Sequence, residues 1–133
     1  MTIEEYQKIL QKHNRGKAAI SEHDLQVQCV NWFRYTYPQI GTLLFAIPNG
    51  GWRNVTTAAK LKAEGVVAGV PDLFLAIPHG EYHGLWIEMK NGKAGRLSPS
   101  QKDMHARLRA NKYKVEVCHS WLDFSRIITD YIK

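Results

Sequence analysis

No apolar run in this chain approaches the roughly 18 residues of a membrane span, so no membrane partner is expected. The longest such stretches, residues 42–47 and 65–70, suit buried strands or turns. The N-terminus is not apolar either. Glu4, Glu5, Gln7 and Lys8 stand where a secretory signal would be hydrophobic, which predicts a cytoplasmic protein. Cysteine is scarce. Cys29 and Cys118 are the only two; they sit in apolar surroundings without metal-ligand spacing and read as reduced core thiols, a disulfide staying open. The histidines (His13, His23, His79, His83, His105 and His119) form no HxxxH or HxH pair, which argues against a histidine metal site. His79 and His83 fall in one turn and are expected to face solvent. Repeats and internal linkers are missing as well, and 133 residues are too few for two ordinary domains. The expectation is a single domain over residues 1–133. Residues 1–20 form an N-terminal extension with weak helical spacing at Ile3, Tyr6 and Leu10.

Acidic residues are rare in one segment in particular. Residues 90–114 hold eight basic side chains against Asp103 alone, a local charge of +7 in a chain of net charge +6. Such a surface fits a polyanion, of which nucleic acid is the commonest; it equally fits a solvated basic helix face.

What is present alternates between helix and strand signals. Ser21 is an N-cap with Asp24 three residues on; Leu25, Cys29, Trp32 and Phe33 follow at helical spacing until Pro38 stops the helix near Tyr37. Residues 42–47 (TLLFAI) predict a buried strand, closed by the turn Pro48-Asn49-Gly50-Gly51. A short helix over 56–64 ends at Gly65. Strands over 73–77 and 85–90 flank a polar turn at 79–84. Ser98-Pro99-Ser100-Gln101 then opens a helix to about Ala110, with an N-cap, a proline at the first position and a glutamine at the third. A strand over 114–118 and an amphipathic helix over 121–132 complete the chain. This order predicts an α/β domain with a mixed central sheet flanked by helices.

In the strand Leu85-Trp86-Ile87-Glu88-Met89-Lys90, alternation turns Leu85, Ile87 and Met89 one way and Glu88 and Lys90 the other. On its own, this pattern also fits an edge strand with a solvated face. Asp72 adds a second carboxylate, sixteen residues before Glu88 at the mouth of the preceding strand. A hairpin through 79–84 brings the two together. Converging carboxylates repel unless a cation lies between them, and oxygen ligands of this kind suit Mg2+ or Mn2+. The Met89 backbone carbonyl is a third oxygen. An ion held there polarises a phosphodiester and activates water, with Lys90 orienting that water or stabilising charge on phosphorus.

Gly69-Val70-Pro71-Asp72, then Glu88-Met89-Lys90, then Ser98-Pro99-Ser100-Gln101 resembles the VRR-NUC branch of the PD-(D/E)XK nuclease superfamily. The short signature, PD with a later E-x-K, recurs by chance; the ordered set with G-V before it and S-P-x-Q after it is far more specific. The resemblance runs from about Glu22 to about Val117. It implies a restriction-endonuclease-like αβββαβ core and divalent-metal hydrolysis of DNA. For small stand-alone members of bacteria and phages, it implies homodimers acting on four-way junctions or other branched DNA in a bacterial or phage-infected cell. Carried onto this chain, Asp72 and Glu88 match the metal ligands and Lys90 the catalytic lysine. Glu22 matches an acid on the first helix, contributing to the metal through water, and Gln101 the glutamine of S-P-x-Q. Each of these last two has a structural alternative. Glu22 in a first turn favours the helix dipole, and Gln101 completes a capping box with Ser98.

Asn49 and Arg53 at the glycine turn, Lys93 and Arg96 in the 91–97 loop, and Lys102 on the following helix are the residues expected to grip DNA. Trp52, beside Arg53, reads equally as a base-stacking ring or as packing. Two other readings stay open. One is a nucleic-acid-binding module with a vestigial nuclease site, against which the intact Asp72, Glu88 and Lys90 argue. The other is a restriction-type or single-strand nuclease.

Overall fold

The computed structural model of the chain describes residues 2–13, 20–48, 55–92 and 95–133. The weak spacing near the N-terminus does form a helix, α1 (Ile3–His13). Its head is closed reciprocally, Thr2 and Glu5 each accepting the other's backbone N–H. Its body is pinned by Tyr6, whose ring lies on Trp121 and whose hydroxyl donates to the Gln28 carbonyl at 2.6 Å.

The next helix, α2 (Glu22–Thr36), is capped by Ser21, whose hydroxyl accepts from Asp24 N–H as the sequence predicts. After it come the strands β1 (Leu44–Ala46), β2 (Leu73–Leu75), β3 (Leu85–Met89) and β4 (Lys114–Cys118). Helix α3 (Val55–Ala63) falls between β1 and β2, α4 (Pro99–Ala110) between β3 and β4, and α5 (Trp121–Ile132) after β4. The strands lie in the order β1-β2-β3-β4. The first two pairings are antiparallel and β3 with β4 is parallel, giving the mixed sheet expected of an αβββαβ core.

One sheet face is the core. Leu44, Leu73, Leu75, Leu85, Ile87, Met89 and Cys118 are buried there under Leu25, Cys29, Trp32 and Phe33 of α2 and Phe124 and Ile128 of α5. Each such side chain contributes on the order of 1.5–3 kcal/mol by leaving water. Both cysteines are buried and unbridged, as reduced core thiols. Contact with Cys118, then burial, pushes the Cys29 thiol far above its ordinary range. By the two-residue period, the other face carries Phe45, Phe74 and Trp86 and, one register step further, Asp72 and Glu88.

Three strands are shorter than the sequence predicts, β3 only by Lys90 at its end. Residues 41–43 form a 3-10 turn instead of the start of β1, because Arg34 of α2 holds the Gly41 and Leu44 carbonyls through its guanidinium. Backbone bonds still extend the β1–β2 ladder on both sides, from Ala76 N to Leu43 O and from Ile47 N to Asp72 O. Strand β2 stops at Leu75, short of the predicted Ile77. His79 and Tyr82 then bridge the turn, and both His79 and His83 are exposed.

Candidate active site

The β2–β3 register sets Leu73 opposite Ile87, so the next residues outward, Asp72 and Glu88, face each other across the hairpin. Strand β3 is an inner strand, paired on both sides, which removes the edge-strand reading of its polar face. Asp72 is fixed further by its Oδ2, which accepts from the Met89 N–H at 2.7 Å. The Lys90 N–H bonds to Cys118 on the β4 side, so alternation turns the amide and carbonyl of Met89 the other way, toward Asp72. The two carboxyls and the Met89 carbonyl therefore converge on one end of the hairpin.

Glu88 is only 2% exposed. Burial, followed by the hydrogen bond and charge of Asp72, pushes its carboxyl up to about 9; Lys90 opposes the rise and Glu22 adds to it. Two such carboxyls without a cation have to share a proton, and a divalent ion between them removes that need. Among the described residues, no three His, Cys, Asp or Glu side chains gather as a ligand set. The donors present are two carboxylates and a main-chain oxygen. They fit Mg2+ or Mn2+, which favour oxygen ligands and, in the case of Mg2+, keep several waters.

Glycine shapes the surroundings of this pair. Gly69 has φ +91°, and a Cβ there would stand 2.3 Å from the Ser100 carbonyl oxygen. The loop carrying Pro71 and Asp72 thus lies directly against the first turn of α4. A Cβ on Gly95 would come within 3.0 Å of the Lys90 Cβ, so the loop after β3 lies on the lysine's stem.

Glu22 is the first residue of α2 and is exposed. Its charge reaches Glu88, an arrangement that suits action through water. What brings α2 there is Asn91, which the sequence did not single out. Directly after Lys90, its amide donates to the Ile20 carbonyl two residues before Glu22. Gln101 forms the capping box in full: its Oε1 accepts from Ser98 N–H at 2.9 Å and its own N–H donates to the Ser98 hydroxyl. The capping role is therefore present, and that oxygen is committed to it. Arg96 and Lys102 are exposed before and on α4. Asn49, Trp52, Arg53 and Lys93 lie outside the described residues.

The sequence also passed over His105. It is 1% exposed, and its Nε2 lies 3.2 Å from Glu88 Oε1. Burial, then the charges of Arg109 and Lys90, hold its pKa below the usual value against the pull of Asp72. A search for paired histidine ligands has no means of finding it, since this histidine stands alone and touches a carboxylate. Its signal was the spacing from Gln101, one helical turn earlier on α4.

Among the described residues, no helix is long and apolar enough to cross a membrane. No curated protein matches the chain. A solved structure described as a VRR_NUC domain protein is similar at a TM-score of 0.75 and 29% identity, covering 86% of this chain and 89% of the other. The model of the VRR-NUC domain matches residues 4–121, which takes in Glu22, the facing carboxylates, Lys90 and the S-P-x-Q helix. With the mixed sheet and the order of those motifs, the chain belongs to the VRR-NUC family of the PD-(D/E)XK nuclease superfamily.

Proposed function

We propose that this nuclease-family chain is a divalent-metal-dependent endodeoxyribonuclease whose centre is Asp72, Glu88, the Met89 carbonyl and Lys90. The observation that carries the reading is the facing pair, in which a buried Glu88 is opposed by Asp72 with Lys90 two residues on. A bound Mg2+ or Mn2+ supplies Lewis acidity at the phosphodiester and a more acidic water. Asp72 and Glu88 hold it, and the Met89 N–H keeps Asp72 aimed. The Lys90 ammonium, its stem set against Gly95, places positive charge where the transition-state phosphate gathers negative charge. Glu22 acts at the rim through water. Arg96 and Lys102, with Asn49, Arg53 and Lys93, take the flanking phosphates.

The finer part of the proposal is selectivity for four-way junctions or other branched DNA by a homodimer. It is supported by the family likeness and by size: one small domain makes one cut, whereas a twofold pair presents two sites to a pseudo-symmetric substrate. The large aromatic side chains add little to this support. Trp32, Phe33 and Trp121 are core, Tyr37 is half-buried, and Tyr35 is 63% exposed.

The test is cleavage of single-stranded, duplex, flap and four-way-junction DNA with Mg2+, with Mn2+ and with chelator. Activity is expected with either metal and none with chelator. Asp72→Asn and Glu88→Gln should each abolish cutting while binding persists, or even tightens as carboxylate–phosphate repulsion falls. Full activity in both variants, or cutting that survives chelation, sinks the mechanism.

A further inference from the structure

Resting on the metal-centre reading above, we propose that His105 is a positioning residue that holds Glu88 in its metal-binding orientation by donating the Nε2–H to Glu88 Oε1. The contact is 3.2 Å, between side chains almost wholly removed from water. A carboxylate that binds a cation is ionised and can only accept hydrogen bonds, so the ring nitrogen facing it has to donate. That fixes the tautomer and leaves Nδ1 without a hydrogen. Nδ1 is buried and has no hydrogen-bond partner among the described residues.

An unsatisfied buried acceptor is a standing cost that an apolar side chain of similar size would not carry. Packing alone therefore does not explain a histidine here, whereas a ligand carboxylate in need of a donor does. The imidazole also suits the task better than lysine or arginine. In its neutral form it restrains Glu88 without adding a positive charge to compete with the cation. Ligating carboxylates held by such an outer partner typically lose 10- to 100-fold in metal affinity or activity when the partner is removed. The Gly69 loop, which leads into Asp72, lies directly against the first turn of α4, the helix that carries His105.

The experiment is Mn2+ titration of the DNA-free protein, read by the electron paramagnetic resonance of free Mn2+, alongside thermal unfolding in chelator. His105→Leu is expected to keep or raise its Tm, because an orphaned acceptor is removed, and to bind Mn2+ about 10-fold more weakly or worse. His105→Gln, whose amide nitrogen reaches the Nε2 position, is expected to restore most of the affinity. His105→Asn places its amide near Nδ1 instead and is expected to stay weak. A Leu variant binding Mn2+ as the wild type does, or Gln and Asn variants binding equally, overturns the assignment and leaves the metal centre standing. Should the Leu variant fail to fold, the Gln–Asn comparison decides. A wild-type protein that binds no Mn2+ overturns the metal centre itself, and this role with it.

Discussion

Burial and ionisation pull Glu88 in opposite directions, and that tension predicts how the metal-free protein responds to pH. Its carboxyl titrates near 9 when folded, against an ordinary 4.5. Below 4.5 it is protonated in both states, and the protonated folded form contributes its full share of stability. As pH rises through the interval to about 9, the unfolded chain releases the proton more readily, so that share is lost. In chelator, Tm is therefore expected to fall across this interval more steeply for the wild type than for Glu88→Gln. Identical slopes in the two would show that burial and Asp72 do not hold the Glu88 proton in the folded chain. Lys90 gives a second prediction at this scale. Lys90→Ala should lower single-turnover cleavage by about 10²-fold or more with little change in Mn2+ affinity, since its charge acts on the transition state. Recovery of the full rate simply on raising Mg2+ would make Lys90 a modulator of metal binding instead.

Helix α4 is fixed at its head from two directions. The Ser98–Gln101 capping box satisfies its first-turn donors, and Gly69 lets the loop before Asp72 lie against the Ser100 carbonyl. Gly69→Ala adds a left-handed backbone penalty of roughly 1–2 kcal/mol, and its new methyl would stand 2.3 Å from a backbone oxygen that has no flexible side chain to yield. The expected outcome is a lowered Tm, with cleavage falling further than the stability loss explains, because α4 has to retreat and take His105 away from Glu88. Gly65→Ala is the control: Gly65 also has positive φ, yet a Cβ there meets nothing within 4 Å. If the two variants lose activity equally, the close approach at Gly69 has no part in building the site.

At the scale of the whole molecule, the chain separates its two tasks between the faces of one sheet. The face under α2 and α5 is sealed with aliphatic and aromatic side chains, while the opposite face carries the carboxylates. Of the basic residues in 90–114, Arg96 and Lys102 stand exposed before and on α4, the helix whose His105 reaches Glu88 on that second face. A homodimer gripping phosphates with two such surfaces should bind junction DNA with an affinity that falls steeply as salt rises. Light scattering at micromolar concentration, paired with a junction-versus-duplex cleavage comparison, checks it. A monomer that cuts linear duplex as readily as junctions would remove the dimer and the selectivity, leaving the metal chemistry intact.

Local rules were enough for much of this protein. Ser21 and Ser98 cap their helices because a hydroxyl at that position satisfies a free N–H whatever surrounds it. The alternation from Leu85 to Lys90 assigned each side chain to a face, and the spacing of Asp72 from Glu88 across a turn foretold the facing pair. These are short-range facts of backbone geometry, and the sequence carries them in full. The shortened start of β1 was not legible, because the Arg34 bonds that turn residues 41–43 come from another element. Asn91, tying the end of β3 to the head of α2, and His105, reaching Glu88 from α4, were hidden for the same reason. The meaning of each lies in a partner 71 or 17 residues away, chosen by how helices pack on the sheet. Sequence alone nominated the side chains to which the chemistry is assigned in the proposed function; only the tertiary structure decided which neighbours hold them in place, since periodicity fixes the face a residue points to and packing fixes what it meets there.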